Sequence, residues 1–193
     1  MLSVIIATRD SERRLVPTLA ALVSGAAQGL VRDVIVADGG SKDETAKIAD
    51  IAGCAVQVSD ASLTVRLTAA ARAARGPWLM FLRPGTVLDP AWIDDTARFV
   101  EQAEERGEAE RRAAVFRHTP GMGRQRSALA EVLMVLGSRL IRPRPEQGLV
   151  IFKRFYESLG GHRDGTNPEA DLIARLGRKR IAVLRSGALT ASE

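Results

Sequence analysis

Four short apolar runs, each closed by a polar turn, organise the first half of the chain. Residues 2–7 read LSVIIA, rich in β-branched residues and without polar alternation, and so predict a strand buried on both faces. The turn TRDSE follows and offers Asp10 or Ser11 as an N-cap. Leu15, Val16, Leu19, Leu22 and Val23 then recur at helical spacing. Pro17 lies inside that stripe, and proline is best tolerated in a first helical turn, so the helix is expected to begin near Arg14. A second buried strand is expected over 31–37, then a helix over 43–52 stopped by Gly53 and a short strand over 55–58. An Ala-rich helix over 63–74, a strand over 78–82 broken by Arg83-Pro84-Gly85, and a helix over 91–106 complete this half.

Strands and helices that alternate in this way predict an α/β fold with a mostly parallel central sheet and helices on both faces. The second half is less regular. Strands are expected over 113–117, 149–153 and 181–184, and helices over 124–140 and 169–176, with a short helix after Lys153. No internal repeat or low-complexity linker divides the chain, so a single domain over 1–193 is expected.

Composition narrows the function. Of 193 residues, 46% are hydrophobic, enough for a core, and no apolar run approaches the roughly 20 residues needed to span a bilayer. Aromatics are only 4%, too few for the stacking platform of a single-strand nucleic-acid binder, and no nucleic-acid partner is expected. The first residues, MLSVIIATRD, show neither a basic lead nor a cleavage pattern, so no signal peptide is expected. Cys54 is the single cysteine, which excludes an internal disulfide and a cysteine-cluster zinc site and points to the cytoplasm. The net charge is +5, and 24 of the 28 cations are arginine. Arginine and alanine together also reflect base composition, so the basicity permits a phosphate-rich ligand or an anionic membrane surface without requiring either.

In an open parallel sheet, ligands bind beyond the carboxyl ends of the strands. Thr8-Arg9-Asp10, Asp38-Gly39-Gly40-Ser41, Ser59-Asp60 and Arg83-Pro84-Gly85 all fall there. Asp38 can accept hydrogen bonds from a ribose or a base, and the glycines after it let a ligand approach the backbone. The alternative is a tight strand-to-helix turn with Asp38 as its cap. A dinucleotide-binding Rossmann domain is disfavoured, because ATRDSE lacks the G-x-G-x-x-G fingerprint. His118 and His162 have no metal-ligand spacing and are expected to be structural or at the surface. Cys54 is expected to pack beside the third strand. The arginines flanking 124–140 allow peripheral contact with an anionic membrane, against the ordinary alternative of a core-facing helix.

SVIIATRDSERRLVPTLAAL resembles the opening strand and helix of family 2 glycosyltransferases, and DVIVADGGSKDETAKIA resembles their second strand and acidic turn. RLTAAARAARGPWLMFLRPGTVLDPAWIDD, EQGLVIFKRFYESLGGHRD and NPEADLIARLGRK continue the likeness in order along nearly the whole chain. The resemblance implies a GT-A-like, Rossmann-like three-layer sandwich, with a nucleotide-binding half over 1–110 and an acceptor half over 111–193. It implies transfer of a sugar from a nucleotide-diphosphate sugar to a hydroxyl acceptor; the alternative is a catalytically inactive nucleotide-sugar-binding or interaction module. Thr8, Asp10, Asp38, Arg66 and Arg83 would contact the nucleotide, and Glu146, Gln147 and Gly148 the acceptor side. Glu169 or Asp171 would be the general base, with Glu169 preferred; two residues apart on a helix, they face different ways and only one can reach an acceptor. Family members hold Mg²⁺ or Mn²⁺ with a carboxylate after the fourth strand. Here the matching residues are Arg83-Pro84-Gly85, and glycine has no ligand atom. The divalent site is therefore expected to be degraded, with Arg83 neutralising the diphosphate or pairing with Asp89, and Asp89 is expected to be a turn former.

Overall fold

The computed structural model describes residues 1–119 and 143–190. Its strands are β1 (Leu2–Thr8), β2 (Val31–Asp38), β3 (Ala55–Val58), β4 (Trp78–Leu82), β5 (Thr86–Leu88), β6 (Ala113–Thr119), β7 (Leu149–Phe152) and β8 (Ile181–Thr190). The helices are α1 (Glu12–Ala27), α2 (Thr45–Ile51), α3 (Leu63–Ala73), α4 (Trp92–Glu105), α5 (Lys153–Ser158) and α6 (Pro168–Leu176). One sheet carries all eight strands, in the order β3-β2-β1-β4-β7-β6-β8-β5. β3, β2, β1 and β4 run parallel, and β6 runs parallel to β8; β7 is antiparallel to both of its neighbours, as β5 is to β8.

The continuous apolar runs have the cause that their sequence suggests, because the sheet is covered on both sides. Val4, Ile6, Val36 and Met80 point into one core with Leu15, Leu19, Ala49, Trp92 and Val100, which places α1, α2 and α4 on that face. Ile5, Ile35, Leu79 and Phe81 point into the other with Leu67, Phe155, Tyr156 and Leu172, from α3, α5 and α6. The result is the expected three-layer sandwich.

Several boundaries differ from expectation. α1 starts at Glu12, and Pro17 lies within it. Ser11 is its N-cap residue without a side-chain cap bond; Asp43 Oδ2, from the next turn, accepts from Glu12 N–H instead, at 3.1 Å. β5 was not expected, because a three-residue strand shows no periodicity. β8 runs six residues past the predicted end, because pairing with both β6 and β5 holds a segment broken by Ser186 and Gly187. The predicted helix over 124–140 and the 121–124 turn lie outside the described residues.

Candidate active site at the carboxyl edge of the sheet

Register brings the candidate residues together. Thr8 pairs with Asp38, Asp38 with Val58, and Ile6 with Leu82, so the carboxyl ends of β1 to β4 share one edge. β7 runs back along β4 with Leu149 opposite Phe81, which carries the preceding 3₁₀ turn, Pro145–Gln147, to the same edge. A cleft of about 290 Å³ opens there, lined in part by Ala7, Ser11, Arg14, Arg83, Pro84 and Glu169.

Two laced turns lie at the same edge of the sheet. Asp38 is only 1% exposed. Its Oδ1 accepts from Thr8 Oγ1 at 2.8 Å and Ser41 Oγ at 2.5 Å, and its Oδ2 from the N–H groups of Gly40 at 3.0 Å and Ser41 at 2.7 Å. Burial alone would raise its pKa, but the bonds from Ser41, Thr8 and Gly40 outweigh it and hold the carboxyl below its ordinary value. A carboxylate has about four lone-pair sites, and all are filled by the protein. The arrangement is that of a turn-organising cap, and the expected direct contact of Asp38 with a base or ribose has no acceptor site left to use. Asp10 crosses between the turns, accepting from Lys42 N–H at 2.7 Å while its own N–H donates to Ser41 Oγ at 2.8 Å. Its φ of 45° is left-handed, a conformation that aspartate tolerates better than most residues. Arg66 Nη1 donates to the carbonyls of Thr8, at 3.0 Å, and Ala37, at 2.6 Å. Its guanidinium lies over Gly39, where a Cβ would approach it to 3.1 Å.

A wall of the cleft is an ion-paired triad. Arg83 donates through Nε, at 2.9 Å, and Nη2, at 2.5 Å, to Glu169 Oε2, and through Nη1, at 2.6 Å, to Glu146 Oε1. Burial opposes the Arg83 charge, and the two glutamates more than restore it, so its pKa is raised. Glu169 stands in the first turn of α6, which Pro168 and the Asn167 cap start: Asn167 Oδ1 accepts from Ala170 N–H at 3.0 Å. Its side chain is 17% exposed, and its Oε1 takes no hydrogen bond among the described residues.

Asp171 goes elsewhere. It is 46% exposed and pairs with Arg175 at 2.7 Å, on another face of α6. Glu169 is thus the acid beside the cleft, and Asp171 the one that pairs on another face of the helix. Gln147 and Gly148, expected on the acceptor side, are packed in the interior here. Gln147 is buried, donating to the Phe116 carbonyl at 2.8 Å and accepting from Arg144 N–H at 2.7 Å. Gly148 is packed under Leu82 and Phe116. Of the acceptor-side trio, only Glu146 reaches the cleft wall, through Arg83. Asp89 does not pair with Arg83; its Oδ1 accepts from Ala91 N–H at 3.0 Å and its Oδ2 from Gly187 N–H, as a turn former would.

His162 is buried, 2.9 Å from the Tyr156 hydroxyl through Nδ1, with its ring edge-on to Phe81. Burial, then the Arg175 charge, pulls its pKa down to about 4 against the attraction of Asp171. Cys54 lies in the core, where burial pushes its thiol up to about 11. Arg14, which the sequence marks only as a helix start, lines the cleft as well. An arginine in a helical first turn carries no distinguishing signal, and only the approach of the Gly85 turn gives it a site.

A three-layer sandwich around a mostly parallel central sheet is the fold of the GT-A glycosyltransferases. The chain belongs to glycosyl transferase family 2, whose sequence profile matches residues 3–164. Among solved structures, glucosyl-3-phosphoglycerate synthase from Mycobacterium tuberculosis, in complex with Mn²⁺, UDP and glucosyl-3-phosphoglycerate, has a TM-score of 0.72 at 18% identity, covering 100% of this chain and 72% of that one. S. aureus TarS has a TM-score of 0.75 at 16% identity over 99% of this chain and 36% of its own. Its 1–349 fragment in complex with UDP-GlcNAc has 0.68 at 16%, over 100% and 59%. No curated protein matches the chain. No helix among the described residues is long and apolar enough to cross a membrane.

The synthase was solved with Mn²⁺, but the described residues here do not fit a divalent ion at this edge. Gly85 offers no side-chain ligand, both oxygens of Asp89 accept from backbone N–H groups, and no cluster of three acidic, histidine or cysteine side chains occurs among the described residues.

Proposed function

We propose that the protein transfers a sugar from a nucleotide-diphosphate sugar to a hydroxyl acceptor, with Glu169 as the general base. The observation that carries this reading is the state of Glu169. Arg83 holds Oε2, and among the described residues nothing donates to Oε1 beside the cleft. In the reaction the acceptor oxygen forms a bond to the anomeric carbon as its proton passes to Glu169 Oε1. The bond from that carbon to the diphosphate breaks, and the electron pair leaves with the phosphate. Thr8, Asp10, Asp38 and Arg66 act by shaping the turns against which the nucleotide rests, in the half over 1–110. Glu146, in the half over 111–193, bounds the acceptor side, with Arg83 of the first half paired to it. A cytoplasmic protein, with peripheral membrane contact through 124–140, belongs to the same reading on sequence grounds.

The non-catalytic reading has one observation in its favour, the glycine at the metal-ligand position. Activity separates the two. Transfer or hydrolysis should be measured with UDP-, GDP- and dTDP-sugars. Glu169→Gln is expected to lose about 10²- to 10⁴-fold in rate, the usual contribution of a general base, with donor affinity retained. Asp171→Asn is expected to stay near the native rate. Donor binding without turnover by the native protein would favour the binding module, and equal small losses from both variants would remove Glu169 as base.

A further inference from the structure

We infer that Arg14 is the cation that meets the donor diphosphate, in the place where relatives use a divalent ion; this rests on the nucleotide-sugar reading and names the group that holds its phosphates. The position is built by the backbone. Gly85 N–H donates to the Arg14 carbonyl at 2.8 Å and to Thr18 Oγ1 at 2.9 Å, which pins the turn after β4 against the first turns of α1. Gly85 is buried and has φ +92°, so the turn favours a residue without a side chain. The space a Cβ would occupy is bounded by the Arg14 guanidinium, whose Nε would be 3.1 Å away. A cation thus stands at the strand end where a metal-binding carboxylate would otherwise project.

Charge selects Arg14 over its neighbours. The nitrogens of Arg83 all donate to carboxylates, and with Glu146 and Glu169 the triad carries a formal charge of −1. That triad repels a diphosphate. Arg66 uses Nη1 on two backbone carbonyls and lies over Gly39, away from the Gly85 turn, although its Nε has no partner among the described residues. The start of α1 is closed by Asp43, so it presents no free anion site. Arg14 lines the cleft and makes no side-chain hydrogen bond or ion pair among the described residues. Its guanidinium can grip two phosphate oxygens in charge-assisted bonds. It would also receive the negative charge that develops on the leaving diphosphate.

The test is calorimetric titration with UDP, GDP and dTDP, each paired with its nucleoside, in EDTA and in Mn²⁺. The proteins are the native chain, Arg14→Gln and Arg14→Lys. Arg14 is exposed, and glutamine and lysine are comparable helix formers, so both variants should fold; thermal melts check this. In EDTA, a diphosphate should bind more tightly than its nucleoside. Arg14→Gln should lose about 10- to 150-fold for the diphosphate and nothing for the nucleoside, and Arg14→Lys should recover part. Mn²⁺ should add little to the native protein. Unchanged diphosphate affinity in Arg14→Gln, or a large Mn²⁺ enhancement that persists in that variant, would overturn Arg14 as the anchor while leaving the nucleotide-sugar reading intact. Failure of all three diphosphates to bind would overturn that reading, and the inference with it.

Discussion

Two buried ionisable residues beside the cleft respond to acid in different windows. Asp38 has a pKa held below its ordinary 3.8, so its stabilisation is complete above that value and is lost only as pH falls through the lower, folded one. His162 acts in the same direction, at higher pH. Its ordinary value is 6.5 and its folded value about 4, so between them the unfolded chain binds the extra proton. Stability should therefore fall from about pH 6.5 toward pH 4, by up to about 1.4 kcal/mol per pH unit. Urea unfolding of native protein and His162→Gln across that range checks this; a slope that survives the substitution would assign it to another group. Asp38→Ala is expected to cost about 1–3 kcal/mol near pH 7, because it strips acceptors from Thr8, Gly40 and Ser41, and to weaken nucleotide binding through the turn. Nucleotide affinity lost with no change in melting temperature would restore Asp38 as a direct ligand. The sequence located Asp38 at the end of a strand. Its four donors come from two turns 30 residues apart in the chain, and spacing alone does not reveal them.

At the scale of elements, α1 positions the site through contacts that its own pattern does not disclose. Its apolar stripe predicts which face is buried, and Leu15, Leu19 and Leu22 are buried as expected, whereas Val16 and Val23 are exposed. Gly25 looks like a flaw in a helix until Trp92 of α4 is considered. A Cβ at Gly25 would lie 2.4 Å from the Trp92 ring, which is itself fully buried and donates through Nε1 to the Ala21 carbonyl at 3.1 Å. Gly25→Ala gains helix propensity of under about 1 kcal/mol but forces a rigid ring to move, so a net loss of about 1–3 kcal/mol is expected. Chemical denaturation measures it, and a stabilised variant would mean that α4 shifts freely. Because α1 also carries Arg14, a tilt of the helix should weaken diphosphate binding as well.

For the molecule as a whole, the last strand joins the edge strand β5 to the sheet. β8 lies between β6 and β5, and its Ser186 and Gly187 N–H groups bond Asp95 and Asp89 around α4. A chain stopped after Arg185 should lose on the order of 3–5 kcal/mol, a large fraction of a typical domain's stability. The expected readout is a lower, broader melt, and native-like melting would show that β5 and the end of β8 are dispensable. The same topology explains the ion-paired wall. Because β7 is antiparallel to β4, a turn about 60 residues away in sequence lies beside Arg83.

The α/β class, the first four strands and their order along the chain follow from the sequence alone, because a strand buried on both faces must be apolar throughout and a crossover helix must show a stripe. The likeness to family 2 glycosyltransferases and the lack of a carboxylate at Gly85 are equally legible, since they are statements about residue type at a position. Which groups touch is not. Arg83 beside Glu169 and Glu146, Asp171 turned toward Arg175, and Arg14 over Gly85 each depend on register and helix rotation. Those are set by packing across the two cores, where a shift of one residue along a strand, or about 100° about a helix, exchanges one neighbour for another.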